Sequence, residues 1–117
     1  MQEEKKFAIP KERIQQLLPP TGSCIASDRI MVDGRPVGYM YREEGNDPHD
    51  SGWRFFAGDE SQAYADEPSH FALYHVNTVA NYDPDIIPYL STPAPCAFEK
   101  VAGTKNYRPV DPPKEEV

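Results

Sequence analysis

Apolar residues in this sequence come in short runs, and their spacing changes along the chain. Near the start, Pro10 leads into Lys11-Glu12-Arg13-Ile14-Gln15-Gln16-Leu17-Leu18, where Ile14, Leu17 and Leu18 share one helical face. Proline is tolerated in a first turn and Pro19-Pro20 ends the run, so the spacing predicts a short helix over residues 11–18. A helix this short is unstable alone, so those three side chains would have to dock it on the main domain.

From Ser23 to Gly58 the pattern becomes β. Cys24-Ile25-Ala26-Ser27 and Ile30-Met31-Val32 are short apolar runs, and Asp33-Gly34 after them is a hairpin signal, because both residue types tolerate positive φ. Val37-Gly38-Tyr39-Met40-Tyr41-Arg42 alternates, with Val37, Tyr39 and Tyr41 on one face and Gly38 opposite, where a neighbouring aromatic could lie against the backbone. Trp53-Arg54-Phe55-Phe56-Ala57 pairs with it across the acidic turn Glu43–Ser51. Alternation puts Trp53 and Phe55 in the core and Arg54 and Phe56 on the other face. Phe71–His75 is a further strand. Asn77 is placed to cap a short helix over Thr78–Asn81, and Asp83 caps a second one with Pro84 at its first position and Ile86, Ile87 and Leu90 buried. Cys96–Val101 reads as the last strand, and Gly103–Val117 as a Pro- and charge-rich, poorly ordered tail. The expected fold is α+β: a small, strongly twisted antiparallel sheet with two or three short helices in a single domain. Residues 1–22 form an N-terminal extension, 23–101 the body and 102–117 the tail.

With 117 residues, 38% hydrophobic and 26% charged, the chain has room for one core without disulfides or metal. Its apolar runs are too short for a transmembrane helix. Met1–Lys6 is charged with no apolar stretch behind it, which predicts no secretory leader. Cys24 and Cys96 stand apart with no neighbouring cysteine, which excludes a Cys-x-x-Cys zinc site and points to a reducing compartment. A bridge between them needs their strands to be neighbours. The expected location is cytoplasmic.

Charge is unevenly placed. Lys plus Arg is 12 and Asp plus Glu is 19, a formal net charge of −7. Residues 43–67 contain eight acids and a single base, Arg54, so this stretch alone carries −7 and the remainder balances. Such a field repels nucleic acid and anionic membranes and attracts a basic protein partner. The residues expected to meet that partner are Glu43, Glu44, Asp50, Arg54, Asp59, Glu60 and Tyr64. Charges steer association, whereas Trp53 belongs in the core. Arg54 either clamps a carboxylate or phosphate of the partner or pairs internally with Asp50 or Asp59.

Catalytic constellations are weak. His49, Asp50, Asp59, His70 and His75 match no metal-ligand spacing, so no metal and no cofactor is expected. Ser51, Ser61 and Ser69 lack a nucleophile-elbow context, and Cys24 or Cys96 with His75 is a pairing of core-like thiols, so no enzyme is expected. Asn77-Thr78 and Asn81-Tyr82-Asp83-Pro84 are rich in side chains that bond backbone, either as caps and turns or as a ligand loop.

Several words stand out together: Gly38-Tyr39-Met40-Tyr41-Arg42-Glu43-Glu44, then Asp50-Ser51-Gly52-Trp53-Arg54-Phe55-Phe56-Ala57-Gly58-Asp59-Glu60, then Asn77–Leu90, then Cys96-Ala97-Phe98-Glu99. In this order they resemble the bacterial immunity protein 33-like family, also described as domain of unknown function 2185. The resemblance spans about Ser23 to Lys100. It implies a non-enzymatic protein that neutralises a toxin by direct binding, here through the acidic face against a basic partner. It carries over no catalytic residues. The alternative is a housekeeping domain that binds a small ligand or another cellular protein. Exposed strand edges leave room for a homodimer without requiring one.

Overall fold

Alternation and capping build nine regular elements beside three 3₁₀ turns in the computed structural model, which describes residues 5–45 and 47–113. Residues 1–4 and 114–117, the outer parts of the expected extension and tail, lie outside the described residues. The strands are β1 (Ser23–Ser27), β2 (Tyr39–Arg42), β3 (Asp50–Phe56), β4 (Phe71–His75), β5 (Cys96–Lys100) and β6 (Tyr107–Val110). The helices are α1 (Asp28–Met31), α2 (Gln62–Ala65) and α3 (Val76–Tyr82). The six strands form one sheet in the order β4-β1-β3-β2-β5-β6.

The class is α+β, but the sheet is mixed rather than antiparallel. β1 runs parallel to β3, while every other neighbouring pair is antiparallel. The expected β2–β3 pair is present, with Tyr39 opposite Phe56 and Tyr41 opposite Arg54. What changes is the segment before it. Ile30 and Met31 lie in α1, because the Ser27 hydroxyl accepts the Arg29 N–H at 3.1 Å and caps a helical turn. Gly34, at φ +77°, then ends that helix, with its N–H donating to the Ile30 carbonyl. Asp33-Gly34 is thus a helix stop rather than a hairpin, and the chain crosses over β3 before β2 begins.

α1, α3 and the 3₁₀ turn Pro84–Tyr89 cover one face of the sheet. Cys24 and Ala26 from β1, Met40 from β2, Trp53 and Phe55 from β3 and Phe98 from β5 meet Ile30, Met31, Val76, Val79, Ala80, Ile86 and Leu90 in one buried cluster. Fully burying a side chain such as Ile30 or Ile86 stabilises by roughly 1.5–3 kcal/mol. Val37 departs from the expected face. It precedes β2 and is fully buried, while Tyr39 and Tyr41 point to the opposite side. Gly38 is needed for a backbone approach, not an aromatic one, since a Cβ there would stand 2.0 Å from the Ala57 carbonyl oxygen.

The tail does not end the fold. β6 adds to β5 as an edge strand that tolerates Pro109, and Tyr107 drives it into the core. The Tyr107 hydroxyl donates to the Val37 carbonyl at 2.7 Å and lies 3.3 Å from Asp83 Oδ2. The same carboxylate oxygen accepts from the Val37 N–H at 2.9 Å and from Lys100 Nζ at 3.1 Å. Its partner Oδ1 caps the 3₁₀ turn Pro84–Tyr89 by accepting the Asp85 N–H, as the Asp83-Pro84 signature predicts. One buried carboxylate therefore ties together the entry to β2, the end of α3, β5 and β6.

At the other terminus the expected helix is replaced. Only Lys11–Arg13 makes a 3₁₀ turn, and residues beyond it run extended along α3. Flanking prolines leave too few residues to nucleate a helix. Asn77 is not the cap of α3 either: that position is His75, without a side-chain bond, and the Asn77 amide faces the extended segment instead.

Replacing Asp83 with Ala leaves the Val37 N–H without its acceptor and the Lys100 ammonium with Asp85 alone, and should lower the unfolding free energy by about 3 kcal/mol in chemical denaturation. Tyr107→Phe should cost about 1 kcal/mol. Burial and the Asp83 carboxylate both raise the Tyr107 phenol pKa from its ordinary value of 10.0. The stability it contributes is whole below that value and falls as pH rises beyond it, so Tyr107→Phe should flatten the alkaline loss of stability.

Candidate functional site

Because side chains alternate across a strand, the face away from the core is set by the same registers. It presents Ile25 from β1, Tyr39 and Tyr41 from β2, Arg54 and Phe56 from β3, and Phe71 and Leu73 from β4. No helix lies over its centre; α2 and the 3₁₀ turn Pro68–His70 wall one side. The result is a shallow groove of about 630 Å³ whose floor is Ile25, Arg54, Phe56, Phe71 and Leu73, with Glu43 at its rim. Leu73 is 71% exposed on this face, the highest value among the exposed large apolar residues.

The floor is a connected row of rings. Tyr41 stacks on Phe56 at 5.8 Å, and Phe56 meets Phe71 edge-to-face at 5.7 Å. Phe71 meets Tyr64 edge-to-face at 6.2 Å, and Tyr64 stacks on His70 at 3.9 Å. Tyr39 closes the row at 5.9 Å from Phe56. Offset and edge-on contacts of this kind hold the rings in place, so the groove is formed before anything binds. The Arg29 guanidinium, 4.8 Å from the Tyr64 centroid, fixes the outer end.

Arg54 sits in the floor and is only 5% exposed. Its two Nη groups bond both oxygens of Asp50 at 3.0 and 2.9 Å, and its Nε reaches Glu43 Oε2 at 3.2 Å. The Asp50 hydrogen bonds raise the guanidinium pKa above its ordinary value against the opposing effect of burial, so it stays charged. Arg54 is therefore an internal anchor rather than a free clamp. The expected Asp50 pairing is present; Asp59 pairs elsewhere, with Arg35 and with Arg29.

The seven residues expected to meet a partner are split by the fold. Glu43, Asp50 and Arg54 form one cluster near the start of β3, with Glu44 exposed beside them. Asp59 and Glu60 follow the other end of β3, a separation of about 20 Å for a seven-residue strand. Glu60 there accepts the N–H groups of Ala57 and Gly58 at 2.8 and 2.9 Å. Tyr64 stands on the groove's wall. The acids thus bracket an apolar strip instead of forming one acidic face. The strip's own residues, Tyr39, Tyr41, Phe56, Phe71 and Leu73, are absent from the sequence-derived set. Their signal is that β2 and β4 carry apolar residues on both faces, which a half-solvated strand does not need.

Chemistry finds no comparable assembly. Among the described residues no group of three His, Cys, Asp or Glu is arranged to hold a metal ion. Cys24 is fully buried, and burial pushes its thiol up to about 12, far from a reactive thiolate. Cys96 is half-buried with its thiol raised for the same reason, and both cysteines are free. No helix among the described residues is long and apolar enough to cross a membrane.

The open face is thus a ring-lined strip between acidic ends. The chain belongs to the family defined by the immunity protein Imm33 domain, whose model matches residues 24–111, about three-quarters of its length. The match includes β6, which the resemblance read from the sequence leaves out. The family is one of toxin-neutralising immunity proteins, generally non-enzymatic, with a toxin protein as partner. Comparison with curated proteins and with solved structures gives no match.

Arg54→Ala should cost about 3 kcal/mol in unfolding free energy, because it removes the guanidinium that balances the charge of the mostly buried Asp50. Glu43→Gln should cost under about 1 kcal/mol, since the Glu43 side chain is 43% exposed and water replaces the pairing. Alkylation followed by intact mass should leave Cys24 unmodified in the folded protein and modify it only after denaturation.

Proposed function

We propose that the chain neutralises a basic toxin by direct contact, seating it on the open face of the sheet. The observation that carries this is the row Tyr39, Tyr41, Phe56 and Phe71 with the exposed Leu73, a preformed apolar strip that no part of the described chain covers. Aromatic side chains held in place and rimmed by charge have the composition of binding hot spots. Acidic groups at both ends, Glu43 and Glu44 at one and Asp59 and Glu60 at the other, support the choice of a basic partner. They would raise the encounter rate, while the strip sets the lifetime of the complex. Arg54 contributes by position: paired to Asp50, it keeps the middle of the floor filled and flat.

This reading refines the acidic face expected from the sequence. The acids steer and the rings hold. A second reading keeps the same groove for a small ligand, favoured by its volume of about 630 Å³, within the range of ligand pockets. It predicts a stabilising compound in a thermal-shift screen and no protein partner.

A tagged chain used to capture protein from its source lysate at low salt should bring down one stoichiometric basic protein. Leu73→Asp or Phe56→Asp should reduce capture at least a hundredfold through faster dissociation. Glu43→Lys with Glu44→Lys should slow association several-fold and flatten the salt dependence. Full capture by Leu73→Asp and Phe56→Asp would move the interface off the sheet.

A further inference from the structure

An open sheet has two edges, and the two edges of this one differ. β6 carries Arg108 and Pro109, which oppose further strand pairing. β4, at the other end, has no such device. Phe71-Ala72-Leu73-Tyr74-His75 contains no proline and no Asp, Glu, Lys or Arg, and it keeps register with β1 over all of its residues without a bulge. Leu73, at its middle, is 71% exposed. A regular, uncharged edge strand of this kind is a template for another strand.

The ladder decides which backbone groups of β4 are free. The Val76 N–H donates to the Gly22 carbonyl at 3.0 Å, so Tyr74 and Ala72, in phase with Val76, also turn their N–H and C=O groups towards β1. Phe71, Leu73 and His75 turn theirs outward. Two of these outward groups are satisfied within the chain. The Phe71 N–H donates to the Pro68 carbonyl, and the His75 carbonyl, at the N-cap of α3, accepts the first bond of that helix. The N–H and C=O of Leu73, the N–H of His75 and the C=O of Phe71 have no hydrogen-bond partner among the described residues.

That free set is complementary to itself. With a second copy laid antiparallel along the edge and a two-fold axis at Leu73, each Leu73 N–H meets the other Leu73 carbonyl, and each His75 N–H meets the opposing Phe71 carbonyl. The bond this register omits, from the Phe71 N–H to the His75 carbonyl, joins the two groups already satisfied internally. Moving the axis to Ala72 would require the Phe71 N–H for the Leu73 carbonyl. Moving it to Tyr74 would require the His75 carbonyl for the Leu73 N–H. Only the axis at Leu73 matches every free group.

From this match we infer that β4 is a self-association edge, along which two copies pair β4 with β4 about Leu73 and join two six-stranded sheets into one. Charge also favours a second copy as the occupant. A chain of net charge −7 approaches its like most easily where charge is absent, as it is on β4. Strand addition covers the edge and leaves the open face clear, so the inference does not depend on toxin binding there.

Sedimentation velocity of the full chain over a concentration series is the test. The chain should show a monomer–dimer equilibrium that tightens as salt screens the like charges, opposite in sign to the salt response expected with a basic partner. His75→Pro removes one outward donor and no internal bond, and the φ of −71° at His75 already suits proline. This variant should weaken self-association at least tenfold while its unfolding transition and its capture of a basic partner stay unchanged. Leu73→Lys and Leu73→Glu each set like charges side by side at the axis, so either variant alone should be monomeric. An equimolar mixture of the two should recover the dimer, a rescue that requires Leu73 to face Leu73. A wild-type chain monomeric at every concentration, a dimer indifferent to His75→Pro, or no rescue on mixing overturns the proposal. Loss of partner capture by His75→Pro would assign the edge to a strand of that partner instead, and would likewise overturn it.

Discussion

A six-stranded sheet has two faces, and this chain has enough helix to cover one. α1, α3 and the 3₁₀ turn Pro84–Tyr89 all pack on the side of Met40, Trp53 and Phe55, where the buried cluster forms. The other side is left to its own side chains. Ordinarily an uncovered face is polar. Here it carries a row of rings instead, and the polar group among them, Arg54, is neutralised and fixed by Asp50 and Glu43. The imbalance between the two faces organises the rest of the structure. One side holds the protein together; the other is left to its own side chains.

A stable open face requires a sheet that does not flex or fray, and the Asp83 carboxylate supplies much of that constraint. It fixes the chain entering β2 through the Val37 N–H, and it holds β5 through Lys100. Tyr107 completes the same knot from β6, so the far edge is anchored from the core side. Among the described residues of β6, Pro109 and Arg108 also blunt that edge against further strand pairing. Val37, held by the Asp83 carboxylate, lies two residues before Tyr39, which projects from the other face of β2.

Local chemistry was legible in the sequence, and long-range pairing was not. The strands Phe71–His75 and Cys96–Lys100, the β2–β3 pair and the Asp83-Pro84 cap follow from alternation and turn residues. The parallel β1–β3 pairing depends on a crossover that no local pattern encodes. Asp33-Gly34 is ambiguous by nature, since positive φ at glycine serves a hairpin and a helix end equally, and the buried Ser27 cap decides between them. β6 is hidden because only Tyr107 of its four residues is buried. The segment over residues 11–18 has helical spacing but finds its hydrogen bonds on Asn77 and Asn81, some sixty positions away. For the candidate site, charge was visible and location was not. The acids of residues 43–67 are a single block in sequence, yet β3 carries them to opposite ends of the groove.

The central claim is that the open sheet face is the docking surface. Hydroxyl-radical footprinting of the chain, free and in complex with its captured partner, tests it most directly because the side chains at issue are reactive ones. The account predicts that Tyr39, Tyr41, Phe56, Phe71 and Leu73 lose labelling in the complex, while Phe7 and Leu17 on the α3 side keep theirs. Unchanged labelling of the five, with protection elsewhere, would contradict it.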